Sequence, residues 1–180
     1  AAMPSELPYQ RFELRAAEHP DRVAIRTSVG SISNGELNAA ANRLARRLRD
    51  VGVEAERLVG VHLERSPDVV VALLAIHKAG GAFLPLDPLY PQQRLTTIAE
   101  DAGVGVLVTQ SRLADSLRLE GAAVIALDVE TAALAELDDG DLGIRPSPSD
   151  LAYIISTSGS TGTPKGCEIT HVALSNQLDS

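Results

Sequence analysis

The sequence predicts an α/β fold in which a mostly parallel sheet is flanked by helices. Short apolar runs alternate along the chain with segments whose apolar residues recur every three or four positions, and this alternation is typical of βαβ units. Of the 180 residues, 44% are hydrophobic and 22% are charged, which is the balance of a soluble globular protein. A chain of this length buries enough surface to fold without a disulfide or a metal ion.

The first half of the chain contains the patterns of three helices and three strands. Leu37, Ala41, Leu44 and Leu48 recur at steps of three and four, which places them on one face of a helix capped by one of residues 33–35. A serine, a proline and an aspartate at residues 66–68 begin the next helix. The predicted helices cover residues 9–18, about 34–51 and about 66–79, and the predicted strands cover residues 23–26, 58–63 and 82–86.

The second half opens with an irregular turn at residues 87–91, Asp-Pro-Leu-Tyr-Pro, because proline fixes φ and lacks the N–H that regular structure needs. A helix is predicted at 92–101, and strands at 104–109, 123–127 and 151–155. Residues 128–150 hold an acidic cluster and two prolines. They predict a connector that leads to the last strand.

The amino-acid composition limits the kinds of partner that the protein can bind. The net charge of −8, with 3% aromatic residues and no tryptophan, disfavours nucleic acid, which is bound through basic and stacking side chains. The longest nearly uncharged stretch, 69–86, is broken by His77 and Lys78 and does not provide the roughly 20 apolar residues of a membrane span. No leader pattern is present near the N-terminus, and Cys167 is the single cysteine. We therefore expect a cytoplasmic protein with no nucleic-acid or membrane partner.

A loop rich in glycine and hydroxyl residues follows the last predicted strand. Between residues 157 and 166 there are three glycines and five serines or threonines, so backbone N–H groups can approach a polyanion closely. The order differs from a Walker A loop, since Lys165 precedes a glycine. A flexible linker is the alternative, but a linker does not normally follow an apolar strand and end in Thr-Pro-Lys-Gly. The residues predicted to bind ATP phosphates are Thr157, Ser158, Gly159, Ser160, Thr161, Gly162, Thr163 and Lys165.

Three stretches resemble the core motifs of one family. Residues 151–166, LAYIISTSGSTGTPKG, resemble the phosphate-binding motif of the adenylate-forming superfamily, specifically of the amino-acid adenylation domains of nonribosomal peptide synthetases. Residues 77–95, HKAGGAFLPLDPLYPQQRL, resemble a second motif of these domains, and residues 32–38, ISNGELN, are similar to their first. The chain, residues 1–180, is identified by this resemblance as the N-terminal part of an adenylation domain, within its large subdomain.

The resemblance implies a ligase that activates an amino or aryl acid with ATP and Mg²⁺ and transfers it to the phosphopantetheine thiol of a peptidyl carrier protein. It also implies that the catalytic residues, the acyl pocket, the magnesium ligands and the C-terminal lid subdomain lie beyond residue 180. We therefore expect this chain alone to be inactive and to need the remainder of the adenylation domain. The alternative is a non-catalytic or split fragment that serves as an interaction piece.

Three residues depart from the family pattern: Asn34 and Ser156 stand where an aromatic residue is usual, and Cys167 stands where valine is usual. Several other polar residues are interpreted as structural. Cys167 and His171 are expected to pack without a chemical role, with an approach to the substrate or the loop as the alternative for His171. His62 and His77 lack metal-ligand spacing, so no metal site is predicted. Lys78 and Asp87 are interpreted as structural parts of the second motif, and the arginines of residues 43–49 as a solvated helix face.

Overall fold

The computed structural model describes residues 6–158 and 164–180, with residues 157, 158, 164 and 165 described by their backbone alone. It has the predicted α/β architecture. The helices are α1 (Pro8–Glu18), α2 (Asn34–Asp50), α3 (Pro67–Lys78), α4 (Gln92–Ala102), α5 (Ser111–Ala114), α6 (Thr131–Ala135) and α7 (His171–Asp179). The strands are β1 (Val23–Thr27), β2 (Gly30–Ser33), β3 (Leu58–Val61), β4 (Ala82–Pro85), β5 (Val106–Thr109), β6 (Ala123–Ala126), β7 (Leu151–Ser158) and β8 (Pro164–Thr170).

Six strands form one sheet in the order β6-β5-β3-β4-β7-β8, and β1 and β2 form a separate antiparallel hairpin. All neighbours in the large sheet are parallel except β7 and β8. From β3 the chain runs through α3 to β4, and from β4 it runs through α4 back across β3 to β5. Because such crossovers are right-handed, the opposite directions place α3 and α4 on opposite faces of the sheet.

The core consists of two apolar layers, one on each face of the large sheet. Val59 packs with α2 and α3 in the first layer, and its neighbour Leu58 packs with α4 in the second, as the alternation of side chains along a strand requires. Gly60 faces the second layer, where a Cβ atom would lie 2.9 Å from Leu86 Cδ1. The absence of a side chain at this position lets the α4 layer pack directly on β3.

The predicted cap of α2 is present at Ser33. Its Oγ accepts a hydrogen bond from the Glu36 backbone N–H (3.2 Å), and Glu36 Oε2 accepts one from the Ser33 backbone N–H (2.8 Å). This reciprocal pair is a capping box, which satisfies two donors that a helix start otherwise leaves without partners.

The connector segment, residues 128–150, includes α6 and runs along α2. The α2 arginines contact this segment, so the expectation that they form a solvated helix face is wrong. Arg43 Nε donates to the carbonyl oxygen of Leu137 (3.3 Å), and Arg47 Nη2 donates to Glu130 Oε1 (2.8 Å). The acidic segment therefore lies on a basic helix face. Helical spacing alone cannot reveal this packing, because the partners lie more than 80 residues further along the chain.

Candidate functional site

The turn of the second sequence motif and the glycine-rich loop follow two neighbouring strands of the sheet. The turn at residues 87–91 comes after β4, and the loop comes after β7. These strands are parallel, with Phe83 paired to Tyr153, so both segments leave the sheet at the same carboxyl edge. The connection after β3 leads one way along the sheet, to β4, and the connection after β4 leads the opposite way, to β5. The direction of the connections therefore reverses between β3 and β4. In open α/β sheets, ligands bind outside the carboxyl ends of strands near such a reversal.

The loop joins the two strands of an antiparallel hairpin. β7 pairs with β8 from Leu151 opposite Thr170 to Ser158 opposite Pro164, and Thr157 lies opposite Lys165. Three of the predicted phosphate-binding residues, Thr157, Ser158 and Lys165, therefore lie on the strand ends that flank the loop. The other five lie outside the described residues: Gly159, Ser160, Thr161, Gly162 and Thr163.

The turn after β4 is held by its own hydrogen bonds. Asp87 Oδ1 accepts from the Leu89 backbone N–H (2.9 Å), and the Asp87 carbonyl oxygen accepts from the Tyr90 N–H (3.1 Å). The Arg94 guanidinium lies 4.8 Å from the centre of the Tyr90 ring, a cation–π contact that fixes the turn against the start of α4. Asp87 thus has the structural role that its sequence context predicts.

A cluster of aromatic rings joins α3, β4, β7 and α7, in which His77 and His171 are buried and Phe83 and Tyr153 are partly buried. The Phe83 and Tyr153 rings are stacked with centroids 5.1 Å apart, and His77 lies 5.0 Å from Phe83 and 4.8 Å from His171. A hydrogen bond of 2.9 Å joins His77 Nε2 to the Ala152 carbonyl oxygen. His77 and His171 are core residues, as predicted. The sequence prediction did not include the stacking of Phe83 on Tyr153, although aromatic residues are rare enough in this chain to have marked both.

Burial and, to a smaller extent, the neighbouring His171 ring lower the pKa of His77 to about 4, although the hydrogen bond with Ala152 opposes the shift. Burial also lowers the pKa of His171. Burial favours the neutral form because an imidazolium loses its hydration in the core. Both rings are therefore neutral in the folded protein at pH 7.

Acidification is expected to destabilise the fold through His77. In the unfolded chain His77 takes up a proton near pH 6.5, and in the folded chain only near pH 4. Since the unfolded state binds more protons in this window, the stability present above pH 6.5 is lost as the pH falls toward 4, by about 3 kcal/mol. Urea unfolding at several pH values measures this slope. The variant His77→Gln, which keeps a donor for Ala152, should show a flatter profile, and an unchanged profile would contradict the assignment.

The lysine of the second motif is buried in an ion cluster. The Lys78 side chain is 0% exposed, and its Nζ lies 2.5 Å from Glu13 Oε1 and 3.4 Å from Asp141 Oδ1. Asn38 and Asn42 also donate to Asp141 Oδ1, at 3.0 and 2.9 Å. Burial raises the pKa of Asp141, but the asparagine hydrogen bonds and the Lys78 charge outweigh it and leave the pKa below its usual value. Lys78 therefore ties α1 and the connector segment to α3.

The three departures from the family pattern have different outcomes. Asn34 is buried, and its Nδ2 donates to the His19 carbonyl oxygen (3.2 Å), so this position is satisfied. Ser156 Oγ is buried without a hydrogen-bond partner. The expectation that Cys167 is packed is wrong: it is exposed, because it lies on the outermost strand of the sheet, opposite the half-exposed Ile155.

A glycine-rich sequence that follows a strand at the carboxyl edge of a mostly parallel sheet is typical of α/β proteins that bind nucleotides. Residues 12–180 match the AMP-binding enzyme family, and the chain belongs to this family. No helix in the described part of the chain is long and apolar enough to cross a membrane. Within residues 6–158 and 164–180, no three potential metal ligands lie together.

The curated relatives are nonribosomal peptide synthetases. Tyrocidine synthase 3 of Brevibacillus parabrevis is 42% identical over 171 residues, which are 94% of this chain and 3% of the relative. Chondramide synthase cmdD of Chondromyces crocatus is 46% identical over 161 residues, which are 88% of this chain and 4% of the relative. The resemblance to adenylation domains of this class is confirmed. The chain spans only a small part of the length of these proteins.

Solved structures agree with the fold. The nonribosomal peptide synthetase FmoA3 bound to α-methyl-L-serine-AMP matches with a TM-score of 0.89 and 33% identity, over 99% of this chain and 20% of that chain. The AMPPNP-bound form has the same TM-score at 34% identity, over 99% and 19%. The N-terminal subdomain of Klebsiella oxytoca NpsA matches with a TM-score of 0.79 and 26% identity, over 92% and 42%. These matches confirm the fold as the N-terminal portion of an adenylation domain.

Proposed function

We propose that this chain supplies the ATP phosphate-binding part of an adenylation domain, which activates an amino or aryl acid as its acyl adenylate. In this proposal the acyl group then passes to the phosphopantetheine thiol of a peptidyl carrier protein in nonribosomal peptide synthesis. The observation that carries the proposal is the placement of both family motifs after adjacent parallel strands, β4 and β7, at one edge of the sheet. The AMPPNP-bound relative supports ATP as the nucleotide.

The proposed reaction needs little covalent chemistry from these residues. The substrate carboxylate attacks the α-phosphorus of ATP, the bond to the bridging oxygen of the β-phosphate breaks, and pyrophosphate leaves. In this proposal the backbone N–H groups and hydroxyls of residues 157–163 hold the β- and γ-phosphates, and Lys165 neutralises the charge that grows on the leaving oxygens. Most hydrogen-bond donors of the loop are neutral, so the proposed site needs only one cation, Lys165. Such a site is therefore compatible with a protein of net charge −8.

In the proposal, Mg²⁺ binds to the domain together with ATP. When bound, it would neutralise part of the phosphate charge, and Mg²⁺ usually retains water and needs few protein ligands. The described residues bring no three potential ligands together. As the family resemblance implies, we assign its protein ligands to the remainder of the adenylation domain.

The chain alone is expected to give no amino-acid-dependent exchange of pyrophosphate into ATP. It spans about a fifth of the FmoA3 chain that it matches, and our proposal places the acyl pocket and lid elsewhere in the domain. The exchange assay is run with this chain, with an adenylation domain that contains it, and with the two parts mixed in trans. Activity only in the complete domain or the mixture is the expected result. Exchange by this chain alone, or no exchange by any of the three, would contradict the proposal.

A further inference from the structure

A buried histidine that the proposed reaction does not use lies at the carboxyl end of β3. His62 directly follows this strand and is 1% exposed. The connections of the sheet reverse between β3 and β4, and open α/β sheets bind their ligands beside such a reversal. Buried polar side chains in proteins have hydrogen-bond partners. The partners of the His62 ring therefore indicate what this residue holds at the edge of the sheet.

The His62 ring joins the end of β3 to the end of β4. Among the described residues, the last backbone hydrogen bond between these strands runs from the Leu86 N–H to the Val61 carbonyl oxygen (2.8 Å). In a parallel ladder that continued, a backbone N–H of the β3 side would bind the Leu86 carbonyl oxygen next. The His62 Nδ1 atom takes this place, 2.9 Å from that oxygen. The side chain thus extends the pairing of the two strands by one hydrogen bond.

The two partners of the ring constrain its tautomer. A carbonyl oxygen only accepts hydrogen bonds, so Nδ1 must carry the hydrogen of the contact with Leu86, whether the ring is neutral or charged. The other ring nitrogen, Nε2, lies 3.2 Å from Ser116 Oγ, and a hydroxyl can donate or accept. The bond to Leu86 therefore has a fixed direction, whereas the bond to Ser116 can reverse.

Leu86 is held at both of its backbone polar groups, by Val61 and by His62. Its carbonyl belongs to the peptide group that joins it to Asp87, the first residue of the turn at residues 87–91. Because a peptide group is planar, a fixed carbonyl oxygen also fixes the orientation of the Asp87 N–H. His62 therefore sets the direction in which this turn leaves β4.

We propose that His62 is a positioning residue of the ATP site, which acts through the Leu86 carbonyl group and the turn at residues 87–91. The inference rests on the proposed function, which places ATP at the sheet edge from which this turn and the phosphate loop both leave. A small displacement of a binding element is costly there, because the phosphates must be held in a reactive geometry. In this proposal His62 acts without contacting ATP.

Three variants separate the roles of the two ring nitrogens. His62→Asn places an amide nitrogen near the position of Nδ1 and should keep the bond to Leu86, whereas His62→Gln places its amide near Nε2 and should lose that bond. Ser116→Ala removes the partner of Nε2 at an exposed position. Each is made in an adenylation domain that contains this chain.

Hydrogen exchange at the Tyr90 amide, which donates to the Asp87 carbonyl oxygen, reports how firmly the turn is held. In His62→Gln this amide should exchange about five- to a hundredfold faster, because an unpaired buried carbonyl favours local opening. His62→Asn should restore slow exchange, and Ser116→Ala should leave it unchanged. Equal effects of His62→Asn and His62→Gln, or no effect of His62→Gln, would overturn the inference.

Two further measurements test the assignment independently of activity. The Leu127 amide, which donates to the Thr109 carbonyl oxygen (3.0 Å), should keep its exchange rate in His62→Gln. Equal acceleration at Leu127 and Tyr90 would show a general loss of stability and overturn the inference. Long-range ¹H–¹⁵N spectra of the parent should show the hydrogen of the neutral His62 ring on Nδ1, and a hydrogen on Nε2 alone would also overturn it.

Pyrophosphate exchange separates this inference from the proposed function. The KM for ATP should rise about fivefold or more in His62→Gln, the KM for the amino acid should change little, and His62→Asn should recover most of the loss. A parent domain without exchange would contradict the proposed function itself. An active parent whose KM for ATP is the same in all variants would contradict only the positioning role of His62.

Discussion

Replacing Lys165 with alanine should slow acyl-adenylate formation about ten- to a hundredfold in an adenylation domain that contains this chain. In our proposal Lys165 is the one cation of the phosphate loop, and a charge-assisted hydrogen bond contributes about 1.5–3 kcal/mol. Amino-acid-dependent pyrophosphate exchange at saturating amino acid and subsaturating ATP measures the rate, because a contact that ATP already makes on binding changes the rate only below saturation. The apparent affinity for the amino acid should change little, because the lysine is assigned to the leaving phosphates.

Two further variants separate the phosphate loop from the rest of the surface. Gly162→Val adds bulk where close phosphate approach is proposed, so it should be at least as damaging as Lys165→Ala. Arg118→Ala removes a cation whose side chain is 77% exposed, so it should change the rate by less than about 0.5 kcal/mol. Wild-type rates in both loop variants, with folding checked by thermal melt, would refute the loop assignment.

Removing both carboxylates around Lys78 should destabilise the fold by about 3–5 kcal/mol. The double variant Glu13→Gln/Asp141→Asn leaves the Lys78 ammonium, which is 0% exposed, without an anionic partner. Such a charge has lost its hydration, and the neutral amide oxygens that remain compensate for this far less than a carboxylate does. Urea unfolding measures the difference in free energy, and the asparagine and glutamine side chains keep the volume of the site nearly constant.

The matched variant Lys78→Met should cost much less. It removes the buried charge and keeps most of the side-chain volume, and the two carboxylates, whose side chains are 19% and 44% exposed, can regain hydration. Replacing a buried ion by an apolar residue is often close to neutral. A Lys78→Met variant as unstable as the double variant would show that the lysine contacts themselves, rather than the cost of an unpaired charge, dominate this site.

Helices and strands with a clear pattern of apolar residues were predicted correctly from the sequence. The stripe from Leu37 to Leu48 and the apolar run before Thr109 gave α2 and β5 within a few residues. β8 was missed, and its first residues were assigned to the loop, because Pro164 to Thr170 has no apolar alternation. An outermost strand needs little apolar sequence, since its outer edge and part of its faces meet solvent.

Contacts between residues far apart in the chain could not be predicted from the sequence. Lys78 stands in an apolar helix, which suggests a buried charge, but its partners Glu13 and Asp141 lie 65 and 63 residues away. The loop could be predicted from its residue types alone. The pairing of β7, the strand before the loop, with β4 could not be predicted, because more than 60 residues separate the two strands and only the strand order makes them neighbours.

The most direct test of the proposed phosphate site compares AMPPNP with AMP, since only AMPPNP carries the β- and γ-phosphates. Isothermal titration is performed on an adenylation domain that contains this chain, as the parent and as Lys165→Ala. We predict that the variant binds AMPPNP about ten- to a hundredfold more weakly and binds AMP with unchanged affinity. Equal weakening for both nucleotides, or no weakening for either, would contradict the assignment of Lys165 to the leaving phosphates.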